Sequence, residues 1–447
     1  MTNAAENQTA PDFGEKAHET LGDEFLSPET IVQARRNAAE RSQRLALAEI
    51  EEMSRENRWQ DILAAFFPLQ EKLPELADEG LDSAVRERIA FALGQLGRFD
   101  EAIAELQICV GRDPENFHAH SSLAYTAYNS LYAAKNRQIL LAGRHRAERI
   151  RLAHQHFQAA QALRPDGVTV FYREGMLWKQ IEGKADKALP LFQKAVANWE
   201  SLADEERERR HQERKNYVKA LYQLASTLCA VERPKAALPV LKKCIAEDEQ
   251  SGHLSLLHKH FALGKVYFLL NRLEEARDAL QFALRCRTEG PVDFVHELLG
   301  RVFLGLNEPA KALEAVRQVP EKARRPYVRW TEADALCSLK RWSEAREVLR
   351  RALERDGRSR HKTLIRLCQI EYLLGETSKA FGHAAEADRF FREQWGNPSA
   401  DALFWMAACA LKSGDRDKAR SLAEELQAYR PGYEKLDLLL SKTQGSS

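Results

Sequence analysis

Residues 97–114 read GRFDEAIAELQICVGRDP. The same order of residue classes returns in NRLEEARDALQFALRC at 271–286 and in GDRDKARSLAEELQAYRP at 414–431. In each stretch a turn-forming Gly or Asn precedes an alanine by five positions. Four and seven positions after that alanine stand apolar or small residues. On a helix these three positions share one face, so the pattern describes a contact surface rather than a composition.

Aligned on Ala102, the equivalent positions are Ile62, Ala102, Ala153, Ala188, Ala237, Ala276, Ala312, Ala345, Ala380 and Ala419, separated by 40, 51, 35, 49, 39, 36, 33, 35 and 39 residues. Ala102/Leu106/Cys109, Ala276/Leu280/Ala283 and Ala345/Leu349/Ala352 show the trio most plainly. A small residue admits a second helix, and the larger one fills the space between the backbones. Gly97, Asn271, Asn307, Gly375 and Gly414 supply the interhelical turn, and Pro114, Pro165 and Pro431 stand where helices must stop. The segment before each turn carries a bulky residue followed by a small one: Leu123-Ala124, Leu224-Ala225, Leu263-Gly264, Leu299-Gly300.

This recurring helix–turn–helix unit resembles the tetratricopeptide repeat (TPR), whose period is about 34 residues. The resemblance covers residues 31–430 and implies an all-α fold, a TPR-like α-solenoid. It would be a right-handed superhelix of about ten helix pairs spanning 27–430, closed by a C-terminal capping helix at 431–443. Residues 1–26 are polar and acidic and read as disordered, as does the tail 444–447. Ser27-Pro28-Glu29 is a helix start. The two long intervals mark insertions near 134–152 and 200–216, read as helix extensions. Glu371 stands where an apolar residue belongs, which predicts a shifted first helix in that copy.

Bulk properties narrow the function. The chain has 447 residues, 67 basic and 66 acidic, for a net charge of +1. Such balance argues against a dedicated nucleic-acid or membrane-surface binder. The longest apolar run, 402–411, is half of the roughly 20 residues that a membrane-spanning helix needs. The N-terminus has neither a basic start nor an apolar block, so the expected compartment is the cytoplasm. Seven cysteines without a CxxC fit reduced thiols rather than a disulfide framework.

Catalytic constellations were sought and not found. His296-Glu297 opens like HExxH, but Gly300 stands at the second ligand position. His253, His258 and His260 are spread around a helix, and His154 and His156 lie on different sides of one. No GxxxxGK, GxSxG or GxGxxG occurs. The sequence therefore implies no enzyme, no metal and no cofactor.

In TPR arrays the first helices line the concave surface. Carried onto this sequence, the resemblance selects His118, Tyr125 and Tyr128 from one copy, then Tyr172, Arg173 and Lys179 from the next. Lys219 and Tyr222 follow, then His258, Phe261 and Lys265, then Arg301, Tyr327 and Trp330, and last Lys362 and Arg366. Rings and cations predominate, which suits a partner polypeptide with acidic and apolar residues. Some TPR domains hold a chaperone's terminal carboxylate by two Lys pairs and an Asn. Lys362 and Arg366 match one pair, but Arg301 and Asp334 stand where asparagines are needed. The expected function is thus a non-catalytic adaptor or scaffold. The alternative is a nucleic-acid-linked regulator using the basic insertion 135–151, where six cations face only Glu148.

Overall fold

The computed structural model describes residues 27–286 and 290–444. The acidic segment 1–26 and the last three residues of the tail lie outside the described residues. Among the described residues there is no strand, and helices follow one another in antiparallel pairs. The first pair is Pro28–Arg55 with Trp59–Phe66, and Ser27 caps it by accepting from the Thr30 amide. Ser83–Gln95 pairs with Phe99–Arg112, and Phe117–Lys135 with Gly143–Leu163. Thr169–Met176, continued by a π-helical turn at Leu177–Glu182, pairs with Ala185–Glu200. Six further pairs carry the pattern to Arg416–Tyr429, and Leu436–Gln444 closes over the last of them.

All ten anchor positions are completely buried, Ile62 included. The reason is visible at the glycines. A Cβ on Gly175 would lie 2.6 Å from the Phe192 ring, one on Gly264 2.6 Å from Leu280, and one on Gly300 2.8 Å from Val316. Phe192, Leu280 and Val316 each stand four residues after an anchor. One slot therefore recurs: the small residue of the first helix receives the large side chain of the second. Gly300, at the broken HExxH, is occupied with this packing. Consecutive first helices also touch each other, as Ser83–Gln95 with Phe117–Lys135 and Asp293–Gly305 with Pro326–Ser338. They form the inner layer of each stack.

The turn five residues before nine of the ten anchors, all but Ala153, has a fixed conformation. Asn57, Gly97, Gly183, Glu232, Asn271, Asn307, Lys340, Gly375 and Gly414 all have φ between 56° and 85°. Glu232 and Lys340 hold this left-handed shape with a Cβ, at about 1–2 kcal/mol each. Lys340→Gly removes that strain and adds some unfolded-state entropy, so it should stabilise by about 0.5–1 kcal/mol. A thermal melt in which Lys340→Gly unfolds earlier than wild type would contradict this.

Three expectations need correction. The helix with Glu371, Arg360–Leu373, is not shifted: Cys368 fills the small slot, and Glu371 is buried and paired with Arg346 at 3.6 Å. The insertion at 134–152 only partly extends helices, because a turn at 136–142 separates Lys135 from the helix starting at Gly143. The insertion at 200–216 contains a separate short helix, Asp204–Arg209, before His211–Ala230 begins.

The chain divides into two compact units, Met1–Ala220 and Leu221–Ser447. Each has its own core. In the first, Ile89, Leu93, Leu106, Leu123 and Phe157 pack together; in the second, Leu280, Val302, Leu336 and Leu349 do.

Candidate binding face

In the N-terminal unit the inner layer carries a cluster of rings and cations. Tyr125 and Tyr128 stack at 6.2 Å on the helix Phe117–Lys135. Arg173, on Thr169–Met176, places its guanidinium carbon 3.6 Å over the Tyr125 ring, a cation–π contact. The next first helix is set beside it by two bonds. Asn216 Nδ2 donates to Thr169 Oγ1 at 2.9 Å, and the Val168 amide donates to Glu213 at 3.3 Å. One turn beyond Thr169 comes Arg173, and one turn beyond Asn216 comes Lys219, so the two cations face each other. Lys215 sits one turn before Lys219 on the same side of its helix.

These cations are not neutralised. Among the described residues none of Arg173, Lys215 and Lys219 has a carboxylate within ion-pair distance. Glu213, the nearest acid, is engaged with Arg210 at 2.7 Å. Burial lowers the Arg173 pKa, against the opposing pull of Tyr125, Tyr172 and Glu213. Burial also lowers that of Lys219, helped by the charges of Lys215 and Arg173. Burial raises the Tyr172 phenol to about 12 and raises Tyr128 as well, so both stay neutral donors. Tyr128 itself is in the core and offers the face little beyond its support of Tyr125. Lys179 lies 6.0 Å from the Phe192 ring. His118 is exposed and lines a separate cleft of about 640 Å³ with Gln43, Leu81, Glu87 and Phe91.

The inner layer of the C-terminal unit is different because its two arginines, Arg301 and Arg366, have acidic partners. Arg301 lies 3.9 Å from Glu297 and 4.8 Å over Phe268. Arg366 pairs with Asp334 at 3.4 Å and lies 5.1 Å over Trp330, with Lys362 at 6.0 Å from the same ring. The Trp330 indole donates to Thr363 at 2.8 Å, and Tyr327 donates to Asp293. The Lys362/Arg366 pair is therefore half engaged internally. His258 stacks on Phe294 at 6.0 Å, Phe261 meets Phe294 edge-on at 4.6 Å, and Lys265 is exposed. Tyr222 is half-buried.

Sequence reasoning missed Lys215, which fell inside the second insertion. Its i, i+4 spacing to Lys219 is the signal that identifies it. It also overstated the first insertion. Lys135 donates to the Gln180 carbonyl and Arg146 to that of Ile181 at 3.0 Å, capping the end of the π-helical turn. Arg149 pairs with Asp100, and Arg144 with Glu148 at 3.1 Å.

Two histidines near this region are structural. The His156 and His120 Nδ1 atoms are 2.8 Å apart, and His120 Nε2 lies 3.0 Å from the Pro114 carbonyl. A carbonyl only accepts, so His120 carries its proton on Nε2, and His156 Nδ1–H donates to the bare His120 Nδ1. Burial and the neighbouring His120 push His156 down to about 4. Between that value and the unfolded one near 6.5 the unfolded chain binds an extra proton, so stability falls as pH drops through this window. His156→Gln keeps the donor and loses the titration. Its melting temperature should decline less than that of wild type between pH 6.5 and pH 4.5, and parallel declines would contradict the assignment. His154 has the opposite sign. Burial disfavours its charge, but bonds to Glu174 at 2.8 Å and Glu182 at 2.7 Å raise its pKa overall. Its contribution is complete below the unfolded pKa and is lost as pH rises through the folded one.

Antiparallel helix pairs stacked one after another define an α-solenoid repeat protein. Models of the tetratricopeptide repeat match residues 88–130 and 297–360, residues 167–290, and residues 401–433, together more than half of the chain. The chain belongs to the tetratricopeptide repeat family. Among solved structures, a tetratricopeptide repeat protein from Parabacteroides merdae is 13% identical, with 62% of this chain and 99% of that one covered and a TM-score of 0.45. PilF of Pseudomonas aeruginosa is 19% identical, with 52% and 98% covered and a TM-score of 0.40. The APC/C hetero-tetramer Cut9–Hcn1 is 11% identical, with 94% and 88% covered and a TM-score of 0.43. No curated protein matches the chain. No helix among the described residues is long and apolar enough to cross a membrane.

Proposed function

We propose that this protein is a non-catalytic adaptor that holds an acidic, partly apolar segment of another polypeptide against the first helices of its N-terminal unit. The observation that carries this reading is the set of unneutralised cations, Arg173, Lys215 and Lys219, half-buried or exposed among tyrosine rings. A desolvated cation without a counter-ion costs stability, and an arriving carboxylate removes that cost. The rings add contact area at little entropic loss. Seven cysteines, none of them in a disulfide, suit a reducing compartment, and we place the protein in the cytosol.

The nucleic-acid reading of 135–151 has less support, because four of its six cations are bonded to the protein's own groups. The test is fluorescence anisotropy with a labelled decapeptide alternating Glu with Leu or Phe. Arg173→Glu/Lys219→Glu should weaken binding by at least about 100-fold, since each of the two lost charge-assisted contacts contributes about 1.5–3 kcal/mol. Arg366→Glu in the other unit should change it little. Equal affinity for wild type and the double variant would remove the groove from consideration.

A further inference from the structure

The chemistry of this same cluster specifies more than an acidic partner. We propose that Arg173, Lys215 and Lys219 form a subsite for a phosphomonoester, a phosphorylated hydroxyl side chain of the bound polypeptide. This rests on the adaptor reading above and narrows it.

Three features point the same way. The site is rich in donors: a guanidinium, two ammonium groups and the neutral phenol of Tyr172, which can donate as well as accept. Glu213, the carboxylate whose charge acts on Arg173, is held by Arg210 at 2.7 Å and by the Val168 amide at 3.3 Å. Such a site calls for a ligand that only accepts. A phosphomonoester offers three strong acceptor oxygens, while a carboxylate offers two.

Charge balance agrees. Three cations lie together where, among the described residues, no carboxylate comes within ion-pair distance of them, and a single carboxylate leaves most of that charge uncompensated. A phosphomonoester carries about −1.5 to −2 near neutral pH. The inner layer of the C-terminal unit shows the contrast, since there Glu297 and Asp334 already answer Arg301 and Arg366.

Geometry agrees as well. The Tyr125 ring covers one face of the Arg173 guanidinium at 3.6 Å. That contact leaves the planar N–H edge available, and this edge pairs with phosphate oxygens in a bidentate manner. Lys215 and Lys219, one helical turn apart, act as two point charges beside it.

The experiment uses the full chain and three labelled versions of the acidic–apolar decapeptide, with serine, phosphoserine or glutamate at the centre. The phosphoserine peptide should bind at least about tenfold more tightly than the serine peptide, and more tightly than the glutamate one. Phenyl phosphate should displace it where phenylacetate at equal concentration does not. The advantage should shrink below about pH 6, where the phosphate takes up its second proton. Arg173→Gln should erase the advantage while raising the melting temperature of the unliganded protein, because it removes a desolvated charge that has no carboxylate within ion-pair distance among the described residues. A merely structural arginine would lower that temperature.

Equal affinities for the three peptides, with their dependence on Arg173 retained, overturn the phosphate assignment and leave the acidic groove standing. An advantage that survives Arg173→Gln overturns the location. Failure of every peptide, and of phenyl phosphate, to bind overturns both readings. Tighter binding of a labelled oligothymidylate than of the phosphopeptide replaces the polypeptide by a nucleic acid and overturns the proposal.

Discussion

Replacing Arg86 by Met is expected to destabilise the N-terminal unit by about 3–5 kcal/mol. Arg86 is 1% exposed, and its partners Asp82 and Glu105 are 0% and 7% exposed. The guanidinium donates to Asp82 at 2.5 Å and to Glu105, and so ties the start of Ser83–Gln95 to the middle of Phe99–Arg112. Arg112 reaches Asp82 as well, at 2.6 Å, but among the described residues Glu105 has no second cation within ion-pair distance. Without Arg86 the Glu105 carboxylate is left buried and unpaired. That penalty, rather than the attraction between the charges, sets the size of the effect. Arg86→Met/Glu105→Leu should therefore recover much of the loss. Urea midpoints at constant m-value measure both variants, and a double variant weaker than Arg86→Met alone would contradict this account.

Leu280→Ala should cost about 2–5 kcal/mol in the C-terminal unit. Leu280 is completely buried and fills the slot opened by Gly264. The reverse change fails for the opposite reason. A Cβ at Gly264 would stand 2.6 Å from the Leu280 side chain and 3.3 Å from the Ala276 carbonyl, so Gly264→Ala should cost about 1–3 kcal/mol in spite of its better helix propensity. Combined, the two changes should be less damaging than their sum, because the new methyl enters the space that Leu280 vacated. A double-mutant cycle with no coupling would mean that the slot is not a shared volume. Gly175 with Phe192 and Gly300 with Val316 provide independent copies of the test.

Fold was legible in the sequence where size and spacing alone decide the contact. An alanine every 33–51 residues admits a helix whatever surrounds it, and all the anchors proved buried. The interhelical turn was visible at Gly97 or Asn271, whose residue types favour positive φ. It was invisible at Glu232 and Lys340, where the packing of the pair imposes a conformation those residues do not prefer. Buried ions escaped notice for a similar reason. Arg86 and Lys259 look like surface residues until the partners Glu105 and Asp248, 19 and 11 positions away, are brought to them. Glu371 misled because its burial depends on Arg346, from the preceding pair.

The site was legible only as a list of inward positions. Which cations are bare depends on where carboxylates land, and that is settled by neighbouring helices. Arg173 and Arg366 occupy equivalent faces and look alike in sequence. Among the described residues only the second has a carboxylate within ion-pair distance, Asp334.

The most direct test of recognition by the inner layer is photo-cross-linking from single positions of the full chain in cells. A benzophenone amino acid replaces Tyr172 on a first helix or, in a second variant, the exposed Lys194 on the adjoining second helix. The account predicts adducts to a partner polypeptide from position 172, reduced by adding Lys219→Glu, and none above background from position 194. Adducts from 194 with none from 172 would contradict it.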